Sequence, residues 1–461
     1  MRKHFFIILA ALAMLTTGCR DGARKDFNHL LVELAAHDET VDGSDWKRIG
    51  EYLDSNKTHF NDFFADGHMD VKAVKAYITD FFARRRPSFD VRFEGIGNDA
   101  LAFHIYMERS GSMTPYDSKD GDGSFRAAVM ALENSLPGKA RIDSIGEKGY
   151  TDFKQIFDNI LNKTGDNEVS ILVTDMIYSV KDMAGVNPQK VFSEVQEMTN
   201  AVFKDEVKRK SMLVVRMTGS YNGPYYAYDN SVRHFAGRRP YYIIIVGSND
   251  NMARLTRDAS LRTFSEMQRL RGYDNMCLFA STDIYRPYYS LLLGNDDIRG
   301  RFQPERGQDT QITRLENIAP DRNSGDVQLA LAVDLSKMFI DGRYLETPAN
   351  YVVEADDDIR IKYIRAITKA DLTPAECKYV GTATHLFVLS MPRVSHGQDV
   401  KIRLLNRLPQ WIGRGSTDND LTPDATTTFA LRYLLEGIYD SYRRNAEREP
   451  AYFELQLHLD K

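Results

Sequence analysis

The sequence has few cysteines, only two tryptophans and no excess of charge of one sign. Three cysteines in 461 residues cannot form the disulfide framework of a small secreted domain. The 60 Lys and Arg residues nearly balance the 65 Asp and Glu residues, so composition gives no electrostatic reason to expect nucleic acid as a partner. With 43% hydrophobic and 27% charged residues, the chain is typical of a globular protein that buries sizeable cores.

Long hydrophobic runs are absent beyond the N-terminus, where one run extends from Phe5 to Leu15. This run follows two basic residues and is shorter than the roughly 20 apolar residues that span a bilayer, so it predicts an export signal. The stretch "LTTGC" resembles a bacterial lipoprotein signal, which implies a signal peptide at 1–18 and a lipid on Cys19. That family prefers a bulky aliphatic residue where this chain has Thr16, and ordinary cleavage with an unmodified cysteine is the alternative. The resemblance implies a lipid-anchored protein of the cell envelope, at the outer membrane or cell surface.

The hydrophobic periodicity changes twice along the mature chain. Apolar residues first recur at helical spacing, then strand-like runs alternate with amphipathic helices, and finally strand patterns dominate. The pattern predicts a signal peptide at 1–18, a helical module at 19–89, an α/β domain at 90–285, a linker at 286–325, and a β-rich domain with one inserted helix at 326–461.

The α/β domain shows the alternation expected of a sheet that helices cover on both faces. We therefore predict a doubly wound, mostly parallel sheet in this region. The runs "LAFHIYM" and "SILVTDM" are apolar on both faces, which predicts that they are adjacent central parallel strands. In such folds ligands bind beyond the carboxyl ends of the strands.

The C-terminal region reads as an antiparallel sandwich. The runs "DVQLALAVDL", "THLFVLSMP" and "YFELQLHLD" have strand patterns, and "FALRYLLEGIYDSYRRN" has the apolar spacing of a helix that precedes the last strand. No group of histidines, cysteines or paired carboxylates in this region suggests catalysis.

A short polar motif, "MERSGSM", follows the first predicted strand of the α/β domain. It resembles the metal-ion-dependent adhesion site of the von Willebrand factor A (VWA) domain, whose first loop reads Asp-x-Ser-x-Ser. That family adds a threonine from a second loop and an aspartate from a third, and both have candidates, in "KGYTDFKQIFDNIL" and "VSILVTDMIYS". The resemblance implies a Rossmann-like VWA fold and a divalent cation held by Glu108, Ser110, Ser112, Thr151 and Asp175.

The chemistry of this residue set fits a hard cation. Mg²⁺, and also Mn²⁺ or Ca²⁺, prefers oxygen ligands. Two carboxylates balance the formal charge of the ion but do not fill its coordination sphere, so an open position favours an acidic group of a protein or glycan ligand. The family has Asp where this chain has Glu108, whose side chain is one methylene longer. A family member with a degenerate metal site is therefore the alternative.

A tyrosine-rich segment, "GSYNGPYYAYDNSVRHFAGRRPYY", follows the strand "SMLVVRM", where the VWA family usually has a helix. Tyrosines are enriched in interfaces because they supply large amphipathic area at low entropic cost. A hairpin that packs on its own domain explains them equally well. The candidate ligand contacts in this segment are Tyr221, Tyr225, Tyr226 and Tyr228.

Three functions of different classes are compatible with these features. The favoured one is a non-enzymatic, surface-anchored binding protein that grips its ligand through the metal. A metal-dependent hydrolase of phosphate or sulfate esters is an alternative, but the ten histidines show no close metal-ligand spacing. A scaffold subunit of a surface assembly is the third.

If Cys19 carries lipid, Cys277 and Cys377 remain. The sequence is compatible with a disulfide between them and with two free thiols.

Overall fold

The structure of the protein is a computed structural model. The predicted signal peptide at 1–18 and Cys19 lie outside the residues that the structure describes. The described residues are 22–34, 40–65, 68–85, 91–93, 101–136, 140–146, 151–165, 167–178, 186–257, 261, 264, 267–282, 284–308, 311–374 and 376–461. Within these ranges, no helix combines the length and apolar character needed to cross a bilayer.

The chain divides into two compact units, residues 1–100 and 101–461. The first contains the predicted helices, with a core that includes Phe27, Ile49 and Ile78. Asp42 caps the second helix and accepts hydrogen bonds from the backbone of Ser44 and Asp45. The elements of this unit are α1 (22–34), β1 (Thr40–Val41), α2 (Gly43–Ser55), β2 (Phe64–Ala65), β3 (His68–Met69), α3 (Val71–Arg85) and β4 (Arg92–Phe93).

The second unit begins with a six-stranded mixed sheet in the order β10-β8-β9-β7-β5-β6. "LAFHIYM" and "SILVTDM" are adjacent parallel strands inside it, as predicted, with Phe103 opposite Val169 and Met107 opposite Val173. The strands are β5 (Ala102–Glu108), β6 (Arg141–Ile145), β7 (Glu168–Thr174), β8 (Lys210–Tyr226), β9 (Val232–Ser248) and β10 (Tyr273–Phe279).

The prediction of a mostly parallel sheet is wrong. β5 is parallel to β6 and β7, but β9 is antiparallel to β7, and β8 is antiparallel to both β9 and β10. The cause is the tyrosine-rich segment, which forms the two facing strands of one long hairpin. A tight turn joins β8 to β9, and strands joined in this way must run antiparallel.

Helices cover both faces of this sheet. On one face, α4 (Ser124–Ser135) and α7 (Asn249–Arg257) share a hydrophobic cluster with Ile105 and Val173. On the other, α5 (Phe153–Lys163) and α6 (Pro188–Val202) pack with Leu172 and Ile244. Residues 258–270, whose sequence has the apolar spacing of an amphipathic helix, lie mostly outside the described residues.

The rest of the second unit contains two antiparallel-rich sheets, whose order is β11-β14-β17-β16 in one and β12-β13-β21-β18-β15 in the other. Residues of both sheets, such as Leu331, Phe387 and Leu455, share one hydrophobic cluster. The segment 286–325, predicted as a linker, contributes three strands to them. The strands are β11 (Tyr289–Leu291), β12 (Arg301–Pro304), β13 (Arg314–Ala319), β14 (Val327–Val333), β15 (Tyr351–Glu354), β16 (Arg360–Ala366), β17 (His385–Met391), β18 (Gln398–Leu405) and β21 (Ala451–Leu459).

The predicted helix before the last strand belongs to the core of the six-stranded sheet. This helix is α11 (Leu431–Asn445); three short helices, α8 (Gly342–Leu345), α9 (Cys377–Val380) and α10 (Gln410–Arg414), and two short strands, β19 (Ser416–Thr417) and β20 (Thr428–Phe429), precede it. Tyr433 stacks on Phe192 of α6 with ring centroids 4.0 Å apart. Helix α11 therefore helps α5 and α6 to cover one face of the sheet. Cys277 is buried, Cys377 is exposed, and both are free thiols.

Candidate metal-binding site

Three loops meet beyond the carboxyl ends of the parallel strands. β5 ends at Glu108, β7 ends at Thr174, and the second loop leads into α5. Because β5 and β7 are adjacent and parallel, the residues that follow them lie at the same edge of the sheet. All five predicted metal ligands are buried: Glu108, Ser110, Ser112, Thr151 and Asp175.

Two threonine hydroxyls hold the Glu108 carboxylate. The Thr151 hydroxyl donates to Oε1 at 2.6 Å, and the Thr174 hydroxyl donates to Oε2. The Met176 amide in turn donates to the Thr174 hydroxyl at 3.0 Å. Sequence reasoning missed Thr174. The signal was present, because the residue stands directly before Asp175 and its strand neighbours the one that ends at Glu108.

Asp175 sits in a tight turn after β7. Its Oδ1 accepts the Ile177 amide at 3.1 Å, and Met176 adopts a left-handed backbone conformation with φ of 54°, which is uncommon outside glycine. Its Oδ2 is buried and has no partner with hydrogen-bond geometry among the described residues. An unpaired buried carboxylate oxygen is costly. Because no protein group pairs with this oxygen, it marks a place where a bound cation would supply the missing partner.

The two serines lie side by side between the carboxylates. Their hydroxyl oxygens are 2.9 Å apart. Ser110 favours the charged form of Glu108 and Ser112 favours the charged form of Asp175. Gly111 stands between the two serines and lies against the ring of Tyr226. A Cβ at this position would come within 3.2 Å of that ring. The glycine therefore lets the loop pass close under the hairpin.

The two carboxyl groups influence each other's charge. Burial, followed by the charge on Asp175, raises the pKa of Glu108 to about 7. Burial also raises the pKa of Asp175, and the Ser112 hydroxyl, the Ile177 amide and the charge on Arg239 partly offset this rise. Two neighbouring buried carboxylates repel each other, and a bound cation relieves both the repulsion and the cost of burial.

These residues fit a hard divalent cation. The donor set is all oxygen, it carries two carboxylates, and one buried carboxylate oxygen is unpaired. Among the described residues, no three or more His, Cys, Asp or Glu side chains are grouped so as to hold a metal. The candidate site therefore depends on hydroxyl ligands, which suit Mg²⁺ better than a soft transition metal.

The tyrosine-rich hairpin extends past the edge of the sheet, over this site. β8 and β9 are 17 residues long, but β10 pairs with β8 only as far as Met217 and β7 pairs with β9 only from Tyr242. Beyond these points the hairpin pairs with itself as far as the turn, where the Ala227 amide donates to the Ser231 carbonyl. We call this outer part of the hairpin, residues 218–241, the arm; it packs on the loops of the site.

The four tyrosine candidates are in different environments. Tyr221 and Tyr225 are buried in the arm, and a surface ligand does not reach them. Tyr228 is half-buried and stacks on Phe429 with centroids 5.0 Å apart. Tyr226 is 39% exposed and lies against Gly111. The structure thus brings only Tyr226 to the surface beside the predicted metal ligands.

A buried arginine on the arm was not predicted. Arg239 is 1% exposed, and its guanidinium donates to the carbonyls of Asp424 at 2.5 Å and Thr427 at 3.2 Å. It lies 4.5 Å from the ring centroid of Tyr225, a cation–π contact. In the sequence it stands in an ordinary basic pair, "RRP", so nothing distinguished it from a surface charge.

The segment between β19 and β20 secures the other side of the arm. The Asp420 carboxylate is buried and accepts the Tyr225 hydroxyl at 2.6 Å and the Tyr228 amide at 3.0 Å. Together with the Arg239 contacts, these bonds tie the arm to a loop that lies nearly 200 residues away in the chain. Such a long-range contact has no local sequence signal.

No protein-family model, curated protein or solved structure matches this chain. The geometry and chemistry of the site therefore carry the functional argument.

Proposed function

We propose that this protein is a lipid-anchored binding protein of the bacterial cell envelope that captures a protein or glycan ligand through a divalent cation. The observation that carries the proposal is the convergence of five oxygen-bearing side chains from three loops, with the buried Asp175 Oδ2 left unpaired. The same convergence supports a VWA-type, doubly wound fold for the six-stranded sheet. The hydrophobic cluster that the two antiparallel-rich sheets share supports a sandwich for the β-rich region.

Each residue of the site has a defined role in this proposal. Glu108 and Asp175 would supply the negative charge that holds the ion, and the hydroxyls of Ser110, Ser112 and Thr151 would complete an oxygen-only set. Mg²⁺ suits it best, with Mn²⁺ or Ca²⁺ as substitutes. The bound ion would supply positive charge to an acidic group of the ligand.

The arm adds a second positive charge and a contact surface. The permanently charged Arg239 acts electrostatically on Asp175, so its charge also favours an anionic ligand. Tyr226 and Val232 are the exposed apolar side chains of the arm, 39% and 56% exposed. Large exposed apolar side chains next to a polar site are typical of contact surfaces. We infer that the ligand touches Tyr226 as its acidic group meets the ion.

The anchor is tested separately from the site. The protein should label with radioactive fatty acid in its native host and sediment with membranes, and Cys19→Ala should release it. Each buried methylene contributes about 0.8 kcal/mol, so more than one acyl chain makes anchoring effectively permanent. Release of the wild-type protein without lipid would contradict the proposed anchor. It would not affect the proposal of a metal site.

Ligand capture tests the main proposal. The wild type and Asp175→Ala, immobilised at equal density, are exposed to cell-surface extracts with Mg²⁺ or with chelator. We expect the wild type to retain a ligand in Mg²⁺ and to lose it in chelator. The Asp175→Ala variant should not retain this ligand. Equal retention under all three conditions would support the scaffold alternative and contradict metal-dependent binding.

A further inference from the structure

The N-terminal unit has a groove of about 440 Å³ between α1 and α3. Its floor is fixed by the Tyr77 hydroxyl, which donates to the Asn28 side chain at 2.9 Å. The half-buried ring of Phe81 forms one wall. The groove is thus a formed depression with an aromatic wall, on a unit that has its own hydrophobic core.

The charge that lines this groove is mostly positive. Lys25, Arg84 and Arg85 are its cations, and Asp80 is the single carboxylate. Asp80 is paired with Arg84 at 2.6 Å, so its charge is already compensated. Lys25 and Arg85 are exposed, and the Arg85 guanidinium lies 5.1 Å from the centroid of the Phe81 ring. Two cations are therefore left to face an anion from outside.

The groove is also close in the chain to the predicted anchor. Helix α1 begins at residue 22, three residues after Cys19, and three residues reach at most about 10 Å. Lys25 lies one turn further, about 5 Å along the helix. A lipid on Cys19 therefore holds the Lys25 end of the groove within about 15 Å of the bilayer surface.

We propose that this groove is a docking surface for the phosphate groups of anionic phospholipids, which places the N-terminal unit against the membrane. The proposal rests on the lipid anchor of the proposed function. Lysine and arginine are the usual phosphate partners. A basic residue near an anionic surface adds about fivefold to partitioning, and an aromatic ring beside it suits the interface between headgroups and water.

The test uses the mature protein with Cys19→Ala, so that lipidation does not contribute. Sedimentation with vesicles of phosphatidylcholine alone is compared with vesicles that also contain phosphatidylglycerol. We expect binding only to the mixed vesicles, and a loss of about 25-fold or more in the double variant Lys25→Glu/Arg85→Glu, from two basic residues at about fivefold each. The control, Lys47→Glu/Arg48→Glu on α2, changes the charge equally at exposed positions and should change partitioning less than about threefold.

Three results would overturn the docking surface: no binding to anionic vesicles, equal losses in the two double variants, or equal binding to neutral vesicles. A mild variant, Lys25→Gln/Arg85→Gln, repeats the measurement without charge reversal and guards against misfolding. Failure here leaves the anchor standing if the wild type still labels with lipid. Failure of the anchor is seen in that labelling and does not alter the vesicle result.

Discussion

The two halves of the six-stranded sheet differ in strand direction: β5, β6 and β7 are parallel, whereas β8, β9 and β10 are antiparallel. In the parallel half, β5 and β7 are adjacent parallel strands as their sequences predict, and short polar residues follow both strands at one edge. In the hairpin half, β8 and β9 run past that edge and form the arm over it. The parallel half positions the candidate ligands, whereas the hairpin half determines what surrounds them.

The two halves are also held together differently. Residues of the parallel half and its own loops fix the site, as when the hydroxyls of Thr151 and Thr174 hold Glu108. The arm depends on distant residues, since Asp420 and the carbonyls of the 418–427 loop hold Tyr225 and Arg239. Changes in the parallel half should therefore act on metal binding, and changes in the arm should act on stability and ligand contact.

The largest expected effect is on metal affinity in the parallel half. Asp175→Ala removes one of two charged ligands and should weaken Mg²⁺ binding at least 1000-fold, about 4 kcal/mol. Thermal shift measures it, because ligand at a hundredfold excess over the dissociation constant stabilises by about 2.7 kcal/mol. Tyr226→Ala on the arm is the matched control and should leave the Mg²⁺ shift unchanged. Equal losses of the Mg²⁺-dependent thermal shift in both variants would contradict the different roles of the two halves.

The next effect is on the stability of the arm. Arg239→Met removes a buried guanidinium that donates to the carbonyls of Asp424 and Thr427, and a hydrogen bond from a charged donor contributes about 1.5–3 kcal/mol. We expect the free energy of unfolding, measured in urea, to fall by about 3 kcal/mol. Arg233→Met changes an exposed residue of the same strand and should stay within about 0.5 kcal/mol. A loss below about 1 kcal/mol in Arg239→Met would mean that the arm is held by its apolar contacts.

A smaller effect is expected on the pH dependence of stability without metal. The pKa of Glu108 rises from 4.5 to about 7 on folding, so the folded state binds more protons than the unfolded state in this window. Stability should therefore fall as pH rises from about 4.5 to 7, by about 2 kcal/mol. Burial raises the pKa values of Asp175 and Asp420 as well, and these act in the same direction.

Glu108→Gln should flatten most of this slope in denaturant titrations at several pH values, and saturating Mg²⁺ should flatten it in the wild type. A slope that Glu108→Gln leaves intact would assign the pH dependence to Asp175 and Asp420 instead.

The smallest effect concerns the length of one side chain. Glu108→Asp restores the residue of the VWA family and should change Mg²⁺ affinity by up to about tenfold, about 1.4 kcal/mol, with tightening expected if the longer chain has to bend to reach the ion. Calorimetric titration of both proteins measures the change. Binding that appears only in the variant would show that the site is degenerate in the wild type.

The comparison of the halves also explains what the sequence could predict. Strands β5 and β7 are buried on both faces, so their continuous apolar runs identify them, and parallel strands must present their following loops together. That is enough to bring Glu108, Ser110, Ser112 and Asp175 to one edge of the sheet, whereas Thr151 was added by the resemblance to the VWA family. Antiparallel pairing of β8 and β9 is decided by a turn, and residues 227–231 lack the glycine-rich signal of a short hairpin.

The contacts that hold the arm could not be predicted, because they join residues that are remote in the sequence. Arg239 reads as a surface charge, and Asp420 lies in a polar stretch typical of a loop. Helix α11 was recognised from its periodicity, but its packing on α6 depends on Gly437, where a Cβ would collide with Thr199. Periodicity defines an element, while its partner depends on the tertiary fold.

Direct detection of the ion tests the central claim. Metal-free mature protein is titrated with Mn²⁺, and electron paramagnetic resonance separates free from bound ion, with Asp175→Ala measured in parallel. The site in the parallel half predicts one bound Mn²⁺ per chain, displaced by Mg²⁺ and absent in the variant. Absence of a bound ion in the wild type, or a bound ion that persists in Asp175→Ala, would contradict a metal site formed by Glu108, Ser110, Ser112, Thr151 and Asp175.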